Sequence, residues 1–342
     1  KVAVRSTTPT HTENLRDLGA QIIVNPFSII SSEINMALLS PNIFKLEKWL
    51  YKIDTLSASL HSFPKGIYVI CGYGRMGRRI YEKLSKNDIE CRLIEIDANR
   101  EFSLNVDEMS NMIFGDADNK ELLSEVGVQE ASVIIAATND DTTNLSILAT
   151  AKKINPDIIT IVRENELEDD LLFQEAKINH IFTPSKILVN KITNSLINPL
   201  SDEFIKQILK KDDKWASSLI LRLIKEINDN PILLEFKIEE KTTPQIYNFL
   251  NKQEQDLSLN ILATSLHNCE QKNNIVPLLL QRDSEITLLP LWEQNLKIGD
   301  KILLACDAHA KDDIEYICQN ENEFYYAFYG EEKMKIFKRK NK

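Results

Sequence analysis

The chain has 342 residues and a formal net charge of −10 at pH 7, and a chain of this length predicts two or three domains with ample core. An acidic chain lacks the basic face that binds nucleic acids or anionic membranes, so we expect neither as the main partner. Its five cysteines form no C-x-x-C pair, which favours reduced thiols in a cytosolic setting. No run of 18 apolar residues occurs in it.

The beginning of the chain is similar to a later part of the same chain. Val4–Pro41 aligns without a gap onto Val162–Pro199 at a constant offset of 158, with eight identities in 38 positions. Both segments predict a short strand ending in Val-Arg, a polar helix, an apolar strand, a proline and an amphipathic helix. A repeat of this length indicates a duplicated domain rather than a solenoid.

The first copy has no counterpart of residues 66–161, which precede the second copy. We therefore expect residue 1 to lie inside the fifth strand of a unit, as in a fragment of a longer protein. Residues 1–45 would be the C-terminal half of a first unit of the same kind. They are too few to bury their own faces and should dock either on another surface or on the missing half of their own unit. Residues 46–65 predict a connecting helix and linker.

The stretch from residue 66 to residue 97 predicts a nucleotide site. A short apolar run ends in G-x-G-x-x-G at Gly72, Gly74 and Gly77, an amphipathic helix follows, and a second apolar run leads to Asp97. The three glycines allow, in order, a tight turn, the approach of a diphosphate and close packing of helix on strand. The amino end of the helix then binds phosphate through its free N–H groups.

Asp97 lies 20 residues after Gly77 and is placed to accept hydrogen bonds from a ribose diol. The alternative is a plain turn acid or a cap. A carboxylate at this position disfavours the 2′-phosphate of NADP, although Arg100 leaves that ligand open. The ribose diol is common to NAD, ATP, ADP and AMP, so Asp97 does not choose among them.

Strands and helices alternate from residue 66 to residue 183, and the strands are nearly continuous apolar runs. This pattern predicts the α/β class, with a Rossmann-like, doubly wound parallel sheet covered on both faces. Ligands bind at the carboxyl edge of such sheets, where Ala137, Thr138 and Asn139 end the fourth strand and Arg163 ends the fifth. A helix cap at Thr138 and an ion pair of Arg163 with nearby acids are the alternatives.

A long helix is predicted from Ser185 to about Lys210, and its apolar stripe suits either an exchanged dimer contact or packing within the subunit. The stripe consists of Ile187, Leu188, Ile192, Leu196 and Ile197. After residue 212, short apolar runs with a helix at 243–250 predict a small α+β lobe. The predicted domains are residues 1–45, 46–65, 66–211 and 212–342.

Taken together, these motifs resemble the RCK (KTN, TrkA-N plus TrkA-C) cytosolic regulatory domains of potassium channels and transporters. The resemblance rests on the glycine motif and on Ile94–Asp97, Gly115–Asp118, Ala136–Leu145 and Ile161–Arg163. Residues 276–303 are similar, more loosely, to the C-lobe that accompanies RCK domains. The likeness covers nearly the whole chain, and residues 1–45 resemble the second half of another RCK unit.

The resemblance implies a regulatory nucleotide ligand, either NAD(H) or an adenine nucleotide such as ATP, ADP or AMP. It also implies that the loop with Asp116 and Ala117 lies beside the adenine, whereas a helix N-cap is the alternative for Asp116. The implied binding residues are Gly72, Tyr73, Gly74, Arg75, Met76, Gly77, Asp97, Asp116, Ala117, Ala137, Thr138, Asn139 and Arg163.

Partners and a cellular location also follow from the resemblance. It implies a potassium-conducting membrane pore, on the same parent chain or on a separate subunit, and a homo-oligomer of at least two copies. The domain would be cytoplasmic, at the inner face of the membrane, and would regulate K+ flux without being an enzyme.

A second hypothesis is an NAD-dependent dehydrogenase with residues 212–330 as the substrate domain. Such an enzyme needs a general acid or base beside the nicotinamide. Only His267 and His309 lie in that part of the chain, and neither has an evident carboxylate partner in sequence. The histidines show no metal-ligand spacing, and the acids from Glu164 to Asp170 are typical of a solvated helix start. No metal site is therefore predicted.

Overall fold

The computed structural model describes residues 2–6, 9–58, 63–166, 170–252 and 255–333. The chain divides into two compact units: one combines Lys1–Phe44 with Ser59–Leu196, and the other combines Lys45–Ala58 with Ile197–Lys342. The domain boundaries predicted from the sequence stay predictions. Within the described ranges, no helix is both long enough and apolar enough to cross a membrane.

The first unit contains a parallel sheet of the predicted Rossmann-like kind. The strands of the unit are β1 (Ala3–Arg5), β2 (Ile22–Val24), β3 (Tyr68–Cys71), β4 (Cys91–Glu95), β5 (Met112–Phe114), β6 (Val133–Ala136), β7 (Ile159–Arg163) and β8 (His180–Phe182). Six of them form one sheet in the order β5-β4-β3-β6-β7-β8, while β1 and β2 form a separate parallel pair. The central strands β3 and β6 are buried along their whole length, which explains their continuous apolar sequence.

The helices of this unit cover the sheet, and one of them packs against a helix from the first 45 residues. They are α1 (Pro9–Asp17), α2 (Pro26–Leu39), α4 (Arg75–Ser85), α5 (Val106–Ser110), α6 (Lys120–Glu125), α7 (Asp141–Ile154), α8 (Asp170–Glu175) and α9 (Pro184–Ile197), whereas α3 (Pro41–Leu50) contributes residues to both units. α2 packs against α4, and Phe27, Ile30 and Ile34 of α2 are fully buried. The expectation that the first residues dock on another surface is confirmed, and that surface is α4.

The two copies of the sequence repeat have the same local structure. Arg5 on β1 lies opposite Val24 on β2, and 158 residues later Arg163 on β7 lies opposite Phe182 on β8. All three residue pairs of β1 and β2 recur at this offset. α2 and α9 also begin and end at positions 158 apart, so the repeat extends from sequence to register.

The second unit is an α+β fold around an antiparallel sheet in the order β11-β10-β12-β9. Its strands are β9 (Ile232–Lys237), β10 (Ile275–Arg282), β11 (Glu285–Leu288) and β12 (Lys301–Cys306). Its helices are α10 (Pro199–Ile208), α11 (Asp213–Glu226), α12 (Pro244–Asn251), α13 (Ala308–Gln319) and α14 (Glu321–Tyr329). The predicted α+β class of this part is confirmed.

Some predicted helices differ from the structure. The single long helix from Ser185 to Lys210 is wrong, because the chain leaves the helical conformation at Asn198 before α10 starts at Pro199. Proline has no N–H to continue a helix and disfavours helical geometry at the residue before it. The helices α11, α13 and α14 were not predicted, and the connecting helix expected from residue 46 already begins at Pro41.

Candidate functional site

The glycine motif forms the turn between β3 and α4. Gly72 has φ +94°, in the left-handed region that favours glycine. A Cβ atom at Gly77 would overlap the carbonyl oxygen of Gly72, whereas a Cβ at Gly74 would meet no atom within 4 Å. Gly72 thus permits the turn, Gly77 permits the close approach of helix and loop, and Gly74 has open space beside it.

That open space is a cavity of about 390 Å3 at the carboxyl ends of β3, β4, β5 and β6. It lies where the sheet order changes direction, because the chain passes from β3 outward to β4 and β5 and returns to the other side of β3 at β6. Open α/β sheets bind their ligands at such switch points. The cavity is lined by eight of the predicted residues: Gly72, Gly74, Asp97, Asp116, Ala117, Ala137, Thr138 and Asn139.

The other five predicted residues do not line this cavity, and most of them support its walls. Met76 is fully buried, and Gly77, without a side chain, lets α4 pack closely against the loop. The hydroxyl of Tyr73 donates a hydrogen bond to Glu108 (2.8 Å), and burial together with this carboxylate raises the pKa of the tyrosine well above its usual value. Arg75 and Arg163 lie beside Phe27, at 5.1 and 5.2 Å from guanidinium carbon to ring centroid.

Glu95, the last residue of β4, is a wall residue that the sequence argument missed. Its side chain is 5% exposed and accepts hydrogen bonds from the backbone N–H of Tyr73 (2.8 Å) and of Asp97 (3.1 Å). It therefore ties the glycine loop to the end of β4. The signal was present in Ile94–Asp97, where two acids alternate, but the spacing rule selected only the second acid.

Asp97 is 49% exposed in its side chain and lies at the cavity edge. Its carboxylate accepts hydrogen bonds from the backbone and side-chain amides of Asn99, both at 3.1 Å, so it does act as the turn cap that was the alternative prediction. Arg100 donates to the carbonyl of Tyr73 (2.5 Å) and lies 3.5 Å from Glu95. Among the described lining residues Arg100 is the one basic side chain, and it is engaged by the protein itself.

The end of β6 is held by a buried asparagine on α7. Asn144 accepts hydrogen bonds from the N–H of Thr138 (3.0 Å) and from its hydroxyl (2.7 Å), and donates to the carbonyl of Arg163 (3.0 Å). The α7 cap is Asp140, which accepts from the N–H of Thr143 (2.7 Å). Hydrogen bonding from the Thr143 side chain, followed by this backbone bond, lowers the pKa of the Asp140 carboxyl. The alternative interpretation of Thr138, as the helix cap, is therefore wrong, because Asp140 is the cap.

Three arginines from different segments meet at one aromatic ring. Arg5, Arg75 and Arg163 lie 5.9, 5.1 and 5.2 Å from the ring of the buried Phe27. Arg163 also donates to Asn139 of the cavity wall (2.8 Å), and among the described residues its buried Nε has no hydrogen-bond partner. Burial, followed by the nearby charge of Arg75, lowers the pKa of Arg163. We call this group the arginine cluster; its excess positive charge favours an anion.

The parallel sheet, its glycine turn and a cavity at the switch point define a nucleotide-binding α/β domain of the Rossmann type. Residues 68–184 match the family model described as the TrkA-N domain. The resemblance inferred from the motifs is therefore confirmed for this segment, which is similar to TrkA-N domains.

Named relatives agree with this assignment. The chain is 28% identical over 200 residues to Potassium channel protein 1 of Methanocaldococcus jannaschii, covering 58% of this chain and 57% of that protein. It is 26% identical over 142 residues to the Trk system potassium uptake protein TrkA homolog of Pyrococcus abyssi, covering 40% of this chain and 63% of that protein. The chain thus spans less than two thirds of the length of these relatives.

A solved structure, the GsuK channel bound to NAD, matches with a TM-score of 0.47 and 13% identity. That match covers 92% of this chain and 62% of the channel chain. The GsuK structure bound to ADP matches with a TM-score of 0.44 and 20% identity, covering 58% of this chain and 46% of the other.

Proposed function

We propose that this chain is a non-enzymatic regulatory module that binds a nucleotide and thereby controls K+ flux through a potassium channel or transporter. The observation that carries the proposal is the cavity beside Gly74, at the switch point of the sheet. The names of the relatives, potassium channel protein and TrkA, supply the physiological setting.

The proposed ligand is NAD(H) or an adenine nucleotide. Its phosphates would lie against Gly74 at the amino end of α4, and its ribose would meet the carboxylate of Asp97. Asp116 and Ala117 would border the adenine. GsuK structures with ADP and with NAD support both ligand types, and the engagement of Arg100 by Glu95 and Tyr73 disfavours NADP.

Binding would regulate a pore only through a difference in affinity between two arrangements of the module. Moving a population from 1:99 to 99:1 takes roughly 5.5 kcal/mol. Because coupling per site is usually about 1–3 kcal/mol, several modules acting together would supply it. We therefore propose a homo-oligomer of at least two copies, cytoplasmic and attached to a membrane pore. Exposed apolar residues of α9, namely Val189, Leu196 and Ile197, support such a contact.

The first test compares two substitutions at one position. Gly74→Asp places bulk and negative charge where the phosphates would lie, so we expect ADP, ATP and NAD binding to fall at least a hundredfold in isothermal titration calorimetry. Gly74 has an ordinary φ and open space at its Cβ, so the matched Gly74→Ala variant should fold normally and bind more weakly only through its added methyl group.

Unchanged affinity in Gly74→Asp would contradict the proposed site. The melting temperature without ligand is the control, and it should be the same in both variants. The dehydrogenase alternative is tested with NAD and candidate alcohols by following the absorbance of reduced nicotinamide. Turnover would favour an enzyme, whereas thermal stabilisation by nucleotide without turnover would favour a regulatory module.

A further inference from the structure

Two histidines and an aspartate, from two separate segments of the chain, meet at the surface of the second unit. His309 and Asp313 lie one turn apart on α13, and His267 lies in the segment that precedes β10. One ligand atom from each residue lies within 4.8 Å of those of the other two. The imidazole rings of His267 and His309 stand edge to face, with their centroids 4.8 Å apart.

Asp313 is held in place by the same segment that supplies His267. Its side chain is 4% exposed, and its Oδ2 accepts hydrogen bonds from the N–H of Leu266 (3.1 Å) and the amide of Asn273 (2.9 Å). Both bonds fall on Oδ2, which also lies 3.8 Å from Nε2 of His309. Because both hydrogen bonds from described residues are made to Oδ2, Oδ1 can coordinate a cation. A carboxylate that is oriented by hydrogen bonds from its neighbours and lies beside two imidazoles is typical of a metal site.

The donor set selects the class of metal. Two imidazoles and one carboxylate suit zinc and similar transition metals, whereas Mg2+ and Ca2+ prefer oxygen ligands alone. At metal–nitrogen distances of about 2.0–2.1 Å, tetrahedral ligand atoms lie about 3.3 Å apart. Both histidines are exposed, so rotation of their side chains can bring the donors closer without moving the backbone.

The surroundings of the three residues also favour a cation with an open coordination position. A cavity of about 630 Å3 opens on His267 and Asp313, and its wall carries Glu323, Glu332 and Lys333. The wall thus holds more acidic than basic groups, and it has room for a water molecule or an external ligand.

We propose that His267, His309 and Asp313 form a binding site for Zn2+. The ion links α13 to the segment before β10 and stabilises this unit against unfolding, independently of any nucleotide. The site is separate from the cavity beside Gly74 and does not depend on the proposed nucleotide function.

The test is a titration of the chelator-treated full chain with zinc chloride, followed by calorimetry, with the absorption spectrum of bound Co2+ as a second readout. His267→Gln and His309→Gln should each weaken Zn2+ binding at least tenfold, and the double variant should abolish it and the Co2+ spectrum. Wild-type protein should melt at a higher temperature with Zn2+ and at the same temperature with Mg2+ or Ca2+.

Two neighbouring residues provide controls. Cys269→Ser removes a half-buried thiol two residues from His267, and Asp312→Asn removes an exposed charge next to Asp313; both variants should bind Zn2+ like the wild type. Wild-type affinity in the two glutamine variants, loss of binding in Cys269→Ser, or Mg2+ binding as tight as Zn2+ binding would each overturn the proposal. The histidines are exposed, so equal melting temperatures without metal confirm that the variants are folded.

Discussion

The two copies of the repeat pair their strands in the same register, and α2 and α9 begin and end at matching positions, yet these two helices differ in burial. Leu38 at the end of α2 is 8% exposed, and Leu196, the identical residue 158 positions later on α9, is 43% exposed. The difference arises because α2 packs against α4, whereas α9 leaves part of its apolar surface uncovered. Local sequence therefore encodes the element, while the neighbouring element decides how much it contributes to stability.

The largest expected effect comes from replacing one identical pair of isoleucines. Ile34 on α2 is fully buried, and Ile192 is its partly exposed counterpart on α9. Ile34→Ala should lower the free energy of unfolding by about 2–5 kcal/mol, as for other buried isoleucines, and Ile192→Ala by less than about 1 kcal/mol. Urea denaturation followed by circular dichroism measures both. Equal losses would mean that the two helices are buried alike in solution.

The second effect concerns the two arginines that end β1 and β7. Arg163→Gln should weaken ADP binding about tenfold, which is about 1.4 kcal/mol, because Arg163 contacts Asn139 of the cavity wall. Arg5→Gln should weaken it about twofold, since Arg5 is exposed and farther from the Phe27 ring. Calorimetric titration of each variant compares them.

A stability measurement distinguishes a ligand role of Arg163 from a purely structural one. Burial and the charge of Arg75 both disfavour the charged form of Arg163, which is why its pKa is lowered. Without nucleotide, Arg163→Gln should therefore melt within a few degrees of the wild type. A large loss of stability together with unchanged ADP affinity would show that Arg163 serves the fold rather than a ligand.

The smallest effect concerns the cap that starts α2. The side chain of Asn25 accepts hydrogen bonds from the N–H groups of Phe27 (3.1 Å) and Ser28 (3.2 Å). Asn25→Ala should cost about 1 kcal/mol of unfolding free energy, and Asn25→Ser should restore most of it, because serine is also a good cap. Thermal melts of the two variants test this, and equal melting temperatures would show that the cap is not needed once α2 is packed on α4.

Much of the fold was predictable because the sequence pattern is local. Continuous apolar runs predicted the parallel sheet, and the offset of 158 predicted matching elements that the structure bears out down to residue pairs. The break at Asn198 was missed because the apolar periodicity continues across Pro199. The helices α13 and α14, which follow residue 307, were not predicted, because the short apolar runs of this part of the chain were interpreted as strands.

The candidate site divides in the same way. The spacing of the glycines predicted the turn between β3 and α4, and the structure places Gly72 and Gly74 at the cavity. Glu95 was missed because its role depends on a hydrogen bond from Tyr73, which spacing does not reveal. The meeting of His267 with Asp313 and the convergence of Arg5, Arg75 and Arg163 depend on tertiary packing, and no local pattern encodes them.

The contacts of Arg100 affect which nucleotides this cavity would bind. A free arginine after the second strand would bind the 2′-phosphate that distinguishes NADP(H) from NAD(H). Here that cation is already held by Glu95 and by the Tyr73 carbonyl. If the cavity binds the nucleotides proposed above, the module would respond to adenine nucleotides or NAD(H) rather than to NADP(H).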